Sequence, residues 1–190
     1  MRKMSLYVDG ACKGNPGPGG WGCYAICHPN VSVSKIKKTE AQVPISWSWY
    51  GGKKHTTNNE MELLAFFKGL KLATTGSDIT IYTDTQYGLK GLFNSSGTSK
   101  EYLNGCINKN KLCNDVIFTG WVNGWAQNGW KTKAKTPVAN KQLWIEIMSE
   151  CKRHVLSGSK LRFIWVKGHS GISGNEIADS LANLGAKLFM

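Results

Sequence analysis

Residues 7–22 read YVDGACKGNPGPGGWG. An apolar run, Leu6 to Val8, ends on an acid, Asp9, and gives way at once to a segment crowded with glycine and proline. A carboxylate at a strand end is fixed by rigid backbone yet opens onto a cleft, and the Gly/Pro segment lets the chain turn sharply with its backbone groups exposed. Ligand and metal sites begin this way, and so does a plain hairpin with a solvated acid. The stretch alone leaves both readings open.

Working outward, residues 4–9 and 20–27 (GWGCYAIC) read as strands joined by that loop. A third strand runs through SWSWYGGKKH, where Trp47, Trp49 and Gly51 alternate with their neighbours. The intervening VSVSKIKKTEAQVPI makes a longer hairpin or loop. From Asn58 to about Ala73 the pattern is helical, with Thr56 or Thr57 as its cap. DITIYTD (78–84) is a short apolar strand that closes on a second acid, Asp84, and TQYGLKGLF follows as a short helix. The polar stretch from Asn94 to Asp115 has no assignable pattern. TGWVNGWAQNGW (119–130) carries three tryptophans into the basic KTKAKTP. An amphipathic helix from about Asn140 to Leu156, a strand LRFIWVK, a loop GHSGISG and a last helix from about Asn175 complete the chain. Strands in a meander, then strands alternating with helices, describe an α/β fold with a mixed sheet flanked by helices.

The 190 residues suit one domain with a proper core. Lys and Arg number 24 against 12 Asp and Glu, a formal charge of +12 that favours a polyanionic partner such as nucleic acid. The N-terminal MRKMSLYVDG lacks a long apolar run, and no segment is apolar enough to span a bilayer, so a soluble, cytoplasmic protein without a membrane partner is expected. The six cysteines (Cys12, Cys23, Cys27, Cys106, Cys113, Cys151) have neither CxxC spacing nor adjacent histidines, which argues against zinc or a redox motif. Reduced thiols are the default, with Cys106 and Cys113 the pair that an oxidising compartment would allow.

Helix geometry separates the acids of TTNNEMELLAFFKGLKLA. At 100° per residue Glu62 shares its face with Phe66, Gly69 and Ala73, whereas Glu60 lies with Leu64, Lys68 and Lys71 on the solvated side. An inward acid needs compensation, and the three arginines, Arg2, Arg153 and Arg162, have no obvious claim on it. If the strands ending at Asp9 and Asp84 are parallel neighbours, those acids lie side by side at the edge where open sheets bind ligands. In the last helix Ile177, Leu181, Leu184 and Leu188 form the expected apolar stripe, with Ala178 and Ala182 beside it and Asp179 at its margin. Converging acids repel: two unit charges about 5 Å apart cost roughly 3 kcal/mol at an effective dielectric of 20. Cations or protonation make such a cluster tolerable, and an all-oxygen ligand set selects Mg2+ or Mn2+. Two such ions on shared carboxylates is the arrangement that cleaves phosphodiesters. An acidic centre in a basic surround fits a nuclease.

The segments YVDGACKGNPGPGGWG, TTNNEMELLA, IYTDTQY, WVNGWAQNGWKTKAKTPVAN and WVKGHSGISGNEIADSLA, in this order, resemble the type 1 ribonuclease H family over most of the chain. The resemblance implies the ribonuclease H-like fold, a five-stranded mixed sheet with helices on both faces, in a single catalytic domain over 1–190 with insertions near 31–45 and 94–118. It implies a monomer without a separate hybrid-binding module, acting on RNA/DNA hybrids. The activity implied is hydrolysis of the RNA strand to 5′-phosphate and 3′-hydroxyl ends, with two Mg2+ (or Mn2+) ions on Asp9, Glu62, Asp84 and Asp179. His169 matches the family histidine that assists proton transfer or product release, a task suited to the side chain that trades protons near neutrality.

The same resemblance places Asn58, Asn59 and Gln86, with the Cys12 to Asn15 loop, around the scissile RNA, where the 2′-hydroxyl distinguishes RNA from DNA. Asn15, Thr57 and Asn140 resemble a pocket for a DNA phosphate, and Asn175 is expected at the substrate. Trp121, Trp125 and Trp130 with Lys131, Lys133 and Lys135 resemble the basic protrusion that holds the DNA strand, although at least one of these tryptophans is expected in the core. His55 and Glu60 depart from the family, which commonly has basic residues there. Two rivals are a catalytically silent nucleic-acid binder and another two-metal nuclease, such as a resolvase or transposase. A mere binder gains nothing from four acids that repel phosphate, and the Asn58, Asn59 and Gln86 set speaks against the second.

Overall fold

The computed structural model describes residues 1–29, 43–94 and 118–190. All of the unassigned stretch but Asn94, most of both expected insertions, and the Cys106 and Cys113 pair therefore lie outside the described residues. Ten elements follow one another: β1 (Lys3–Cys12), β2 (Gly17–His28), β3 (Ile45–Thr56), α1 (Asn58–Leu72), β4 (Asp78–Thr83), α2 (Gln86–Leu92), α3 (Trp121–Gln127), α4 (Lys141–Leu156), β5 (Lys160–Trp165) and α5 (Ser173–Lys187). The strands form one sheet in the order β3-β2-β1-β4-β5. The first three are antiparallel, and β4 and β5 join β1 in parallel.

The alternation in β1 explains its two faces. Met4, Leu6 and Val8 point to the buried side, where α1 crosses so closely that a Cβ at Gly69 would lie 2.8 Å from Val8 Cγ1 and 3.2 Å from Leu6 Cδ2. Tyr7 points the other way and stacks on Tyr82 of β4, ring centroids 4.7 Å apart. Behind α1 the core continues through Phe66, Phe93, Phe163 and the fully buried Trp144 of α4. Burial of side chains this large is worth about 1.5–3 kcal/mol each. A polar tie closes this layer: the buried His154 of α4 meets the Leu70 carbonyl at 2.8 Å and Ser159 Oγ at 3.2 Å.

Helix α5 covers the opposite face, and there the expected apolar stripe is wrong. Ile177, Leu184 and Leu188 are exposed, whereas Gly174, Ala178, Ala182, Gly185 and Ala186 are buried, with Leu181 the one large residue of the expected stripe that joins them. The sheet offers glycines to this helix: a Cβ at Gly20 would lie 2.2 Å from the Ala182 carbonyl oxygen, and one at Gly22 would lie 2.2 Å from that of Ala178. Helix and sheet backbones touch, so only the small-residue face fits. Glu60 is also less solvated than its helical face implied. Its carboxylate accepts from Lys53 Nζ at 2.6 Å and Thr56 Oγ1 at 2.7 Å, tying α1 to β3. Leu64, placed on the same side, is buried. Among the described residues no helix is long and apolar enough to cross a membrane.

Candidate active site

The parallel register pairs Tyr7 with Tyr82, so the chain ends of β1 and β4 reach the same edge and bring Asp9 and Asp84 to it. Glu62 joins them because Gly10 follows Asp9. A Cβ at position 10 would lie 2.3 Å from the Glu62 amide nitrogen, and glycine lets the first turn of α1 sit directly on the strand. That turn is built by the sequence around it. Thr57 is the N-cap, its side chain accepting from the Glu60 amide at 3.2 Å, and Asn15 Oδ1 accepts from the Asn58 amide at 3.1 Å. The Cys12 thiol donates to the Thr56 carbonyl at 3.4 Å, which binds the Gly/Pro loop to the same corner.

Asp179 arrives from the far end of the chain. After β5 the loop is pinned to Asp84: Trp165 Nε1 donates to the Asp84 carbonyl at 2.9 Å, and Gly168 leaves only 2.7 Å between the place of its missing Cβ and Asp84 Oδ2. The first turn of α5 then carries Asn175, buried, whose Nδ2 donates to Asp84 Oδ2 at 3.1 Å. One turn on, Asp179 receives Asn183 Nδ2 on Oδ1 at 2.9 Å. Glu62 is held twice, by Asn58 Nδ2 on Oε1 at 2.7 Å and by the Thr85 hydroxyl on Oε2.

Asp9 sits at the centre of this group. Burial, then the charge of Asp84, push its carboxyl up to about 8, with Asp179 and Glu62 adding to the rise and the Gly10 amide opposing it. Burial also raises Glu62, against the hydrogen bond from Thr85. The acids crowd Asp9 without closing on one another: among the described residues no three His, Cys, Asp or Glu side chains are arranged to hold an ion as they stand. Mutual repulsion keeps such a cluster apart until a cation or a proton enters it. The donor set is wholly oxygen, which fits Mg2+ or Mn2+. Within the described residues, Asp9 Oδ2, Asp84 Oδ1 and Asp179 Oδ2 have no protein hydrogen-bond donor, leaving an oxygen on each to turn toward an ion.

The other expected residues sort by their surroundings. His169 is exposed at a φ of 51°, one residue beyond the glycine that touches Asp84. Asn59 and Gln86 are exposed beside the acids' helices, whereas the Asn58 amide is shared with Glu62. Asn175, expected at the substrate, is buried and spends its amide on Asp84. Asn140 occupies the N-cap of α4 in a left-handed conformation, φ 57°, without a side-chain cap bond. A groove of about 540 Å³ is lined by Trp121, Gly124, Trp125, Asn128, Lys131 and Lys133, while the inner edge of Trp125 packs against the buried Trp144, ring centroids 5.8 Å apart. Thr85 and Asn183 escaped the sequence reading, although Thr85 stands where an N-cap for α2 belongs and its side chain accepts from the Tyr87 amide.

The RNase H family model matches residues 1–119 and 114–187. The chain belongs to the RNase H family. Ribonuclease H of Marinobacter nauticus is 39% identical over 185 residues, covering 97% of this chain and 95% of that protein. Among solved structures, LC9-RNase H1, a type 1 RNase H with the type 2 active-site motif, superposes with a TM-score of 0.64 at 23% identity, covering 99% of this chain and 74% of that one. A foamy viral protease-reverse transcriptase in complex with RNA/DNA hybrid gives a TM-score of 0.61 at 16% identity over 97% of this chain and 20% of that one. The sheet order and flanking helices are thus the RNase H fold, and this RNase H family member is a hydrolase.

Proposed function

We propose that this protein, a single-domain monomer, hydrolyses the RNA strand of RNA/DNA hybrids at Asp9, Glu62, Asp84 and Asp179. The observation that carries this reading is the Asp9 carboxyl, buried among three other acids in a chain of net charge +12. Two Mg2+ ions, with Mn2+ as the substitute, fit these four carboxylates and supply, when bound, charge that polarises the scissile phosphate and a water nucleophile. The protein's part is preorganisation. Asn58 and Thr85 fix Glu62, Asn175 fixes Asp84 and Asn183 fixes Asp179, so little reorganisation remains for the reaction. Water adds to phosphorus as the bond to the 3′ oxygen breaks, giving a 5′-phosphate and a 3′-hydroxyl, and the His169 imidazole passes a proton to the departing oxygen.

Asn59 and Gln86, exposed at the edge of the acid cluster, read the 2′-hydroxyls with help from Asn58 and the loop from Cys12 to Asn15. Asn15, Thr57 and Asn140 face the DNA strand at a phosphate, and the groove of Trp121, Trp125, Lys131 and Lys133 takes the DNA further along. The solved neighbour bound to an RNA/DNA hybrid supports this substrate class. The deciding experiment offers hybrid, duplex RNA and duplex DNA of one sequence with Mg2+. Cleavage confined to the RNA of the hybrid, ending in 5′-phosphate, is expected; cutting of duplex DNA would instead assign a different two-metal nuclease.

A further inference from the structure

A second basic and aromatic surface lies away from the acids. Helix α1 carries Lys68 and Lys71 on the side facing β2 and β3, and with Trp21, Trp49, Tyr50 and Leu72 they line a groove of about 520 Å³ whose lining includes no acid. Glu62 and Lys71 are nine residues apart on one helix, about 14 Å along its axis at 1.5 Å per residue. The groove is therefore separate from the catalytic edge. Lys68 Nζ stands 5.8 Å from the Trp21 ring centroid and 5.7 Å from that of Phe67, and Lys71 Nζ stands 5.3 Å from Phe67. Among the described residues neither lysine has an ion-pair partner.

The sheet supplies a row of indoles beside these lysines. Trp47 and Trp49 alternate onto one face of the edge strand β3, about 6.8 Å apart at 3.4 Å per residue. Trp21 continues the row from β2, opposite Gly51, whose lack of a side chain leaves its ring room. Trp47 is 38% exposed, and Trp21 and Trp49 beside it are half-buried, each with one face on the core.

We infer that this surface is a second nucleic-acid site, one that holds an unpaired single strand, with bases stacked on the indoles of β2 and β3 and phosphates met by Lys68 and Lys71. Three observations favour a nucleic acid over a protein ligand. The rings are spaced along an extended strand as successive bases require, the cations flank the row, and the chain as a whole is strongly basic. A single strand is favoured over a duplex because stacking needs unpaired base faces. The site is independent of which side chains cleave, and its natural occupant is the unpaired continuation of a bound hybrid.

The test is fluorescence anisotropy with labelled dT15, which is no substrate, on the full chain in EDTA between 50 and 200 mM KCl. Wild type, W47A, K68A/K71A, K131A/K133A and the combined lysine variant are compared, with circular dichroism melts to show that each is folded. W47A and K68A/K71A are expected to weaken dT15 binding at least fivefold. The lysine pair should also flatten the log-log salt slope by about 1.4, two single-strand phosphate contacts, and keep this effect in the K131A/K133A background. Cleavage of a blunt hybrid by K68A/K71A should stay within twofold of wild type. Wild-type affinity and slope in K68A/K71A would overturn the proposal, as would a Glu- and Trp-containing peptide that binds wild type more tightly than dT15 and loses more on the same substitutions. Should W47A fail to fold, K68A/K71A decides alone, since Lys71 is exposed and Lys68 half-buried, and neither belongs to the core.

Discussion

Asn175 Nδ2 donates to Asp84 Oδ2 at 3.1 Å, joining the first turn of α5 to the end of β4 across 91 positions of sequence. Asn175 is almost wholly buried, and its Oδ1 has no partner among the described residues. An amide that accepts burial with one unsatisfied oxygen gives up stability for position. Asp84 is thereby held at the rim of the acid cluster.

Replacing Asn175 with Ala should lower kcat on a hybrid by about 10–100-fold, the usual range for supports of a metal-binding carboxylate. KM should move by less than about twofold, because the residue does not reach the substrate. The split between kcat and KM, taken across a Mg2+ titration, checks this; a rise in KM alone would return Asn175 to the substrate.

The stability of the metal-free protein should depend on Asp9 with a definite sign. Its carboxyl keeps a proton up to about 8 in the folded chain and releases it near 4 when unfolded. The folded state binds more protons across that window, so stability from this group is greatest at low pH, falls as pH rises from about 4 to 8, and is level above. In EDTA the Tm of wild type relative to Asp9→Asn should fall between pH 5.5 and 8.5, and Mg2+ should restore it. The same Asp9→Asn protein should show no cleavage. A Tm difference that is flat with pH would remove the repulsion among these acids from the account.

Close packing of α5 makes Gly185→Ala severe. A Cβ there would lie 2.1 Å from the Gly51 carbonyl oxygen, backbone that cannot swing aside. The cost should reach about 3 kcal/mol, the upper end for overpacking, whereas Leu184→Ala, on the exposed side of the same helix, should cost less than about 1 kcal/mol. Urea unfolding of the two variants measures the contrast.

Lys131 and Lys133 line the groove that holds Trp121 and Trp125. Changing both to Ala should raise KM for a hybrid several-fold and reduce its salt dependence by about one unit of log-log slope per lost phosphate contact, with kcat little changed. Unaltered salt behaviour would detach this groove from the substrate.

How far the sequence reached differs from element to element. The 3.6-residue period of α1 turned Glu62 inward without any knowledge of a partner, because a single helix carries its own face. A threonine cap, Thr56 or Thr57, was legible for the same local reason, and the structure uses Thr57. In α5 the period misled: two faces competed, one of Leu and Ile and one of Gly and Ala, and the choice rested on glycines in β2 and β3 that lie more than 120 positions away. Thr85 went unread, both as the cap of α2 and as a partner of Glu62, because its bond to Glu62 joins segments 23 positions apart.

By itself, then, the sequence determined the five strands, the helices other than α3, the acids that the site gathers, the basic surround and the family, since each is written in local periodicity or in a run of adjacent residues; the helix at Trp121–Gln127 was read only as a run of tryptophans. Only the tertiary structure decided how near α5 lies to the sheet, which side chains brace the carboxylates, and that Trp47, Trp49 and Trp21 fall in one row beside Lys68 and Lys71. These depend on distances between segments far apart in the chain, and no local pattern of side chains encodes a distance to a partner.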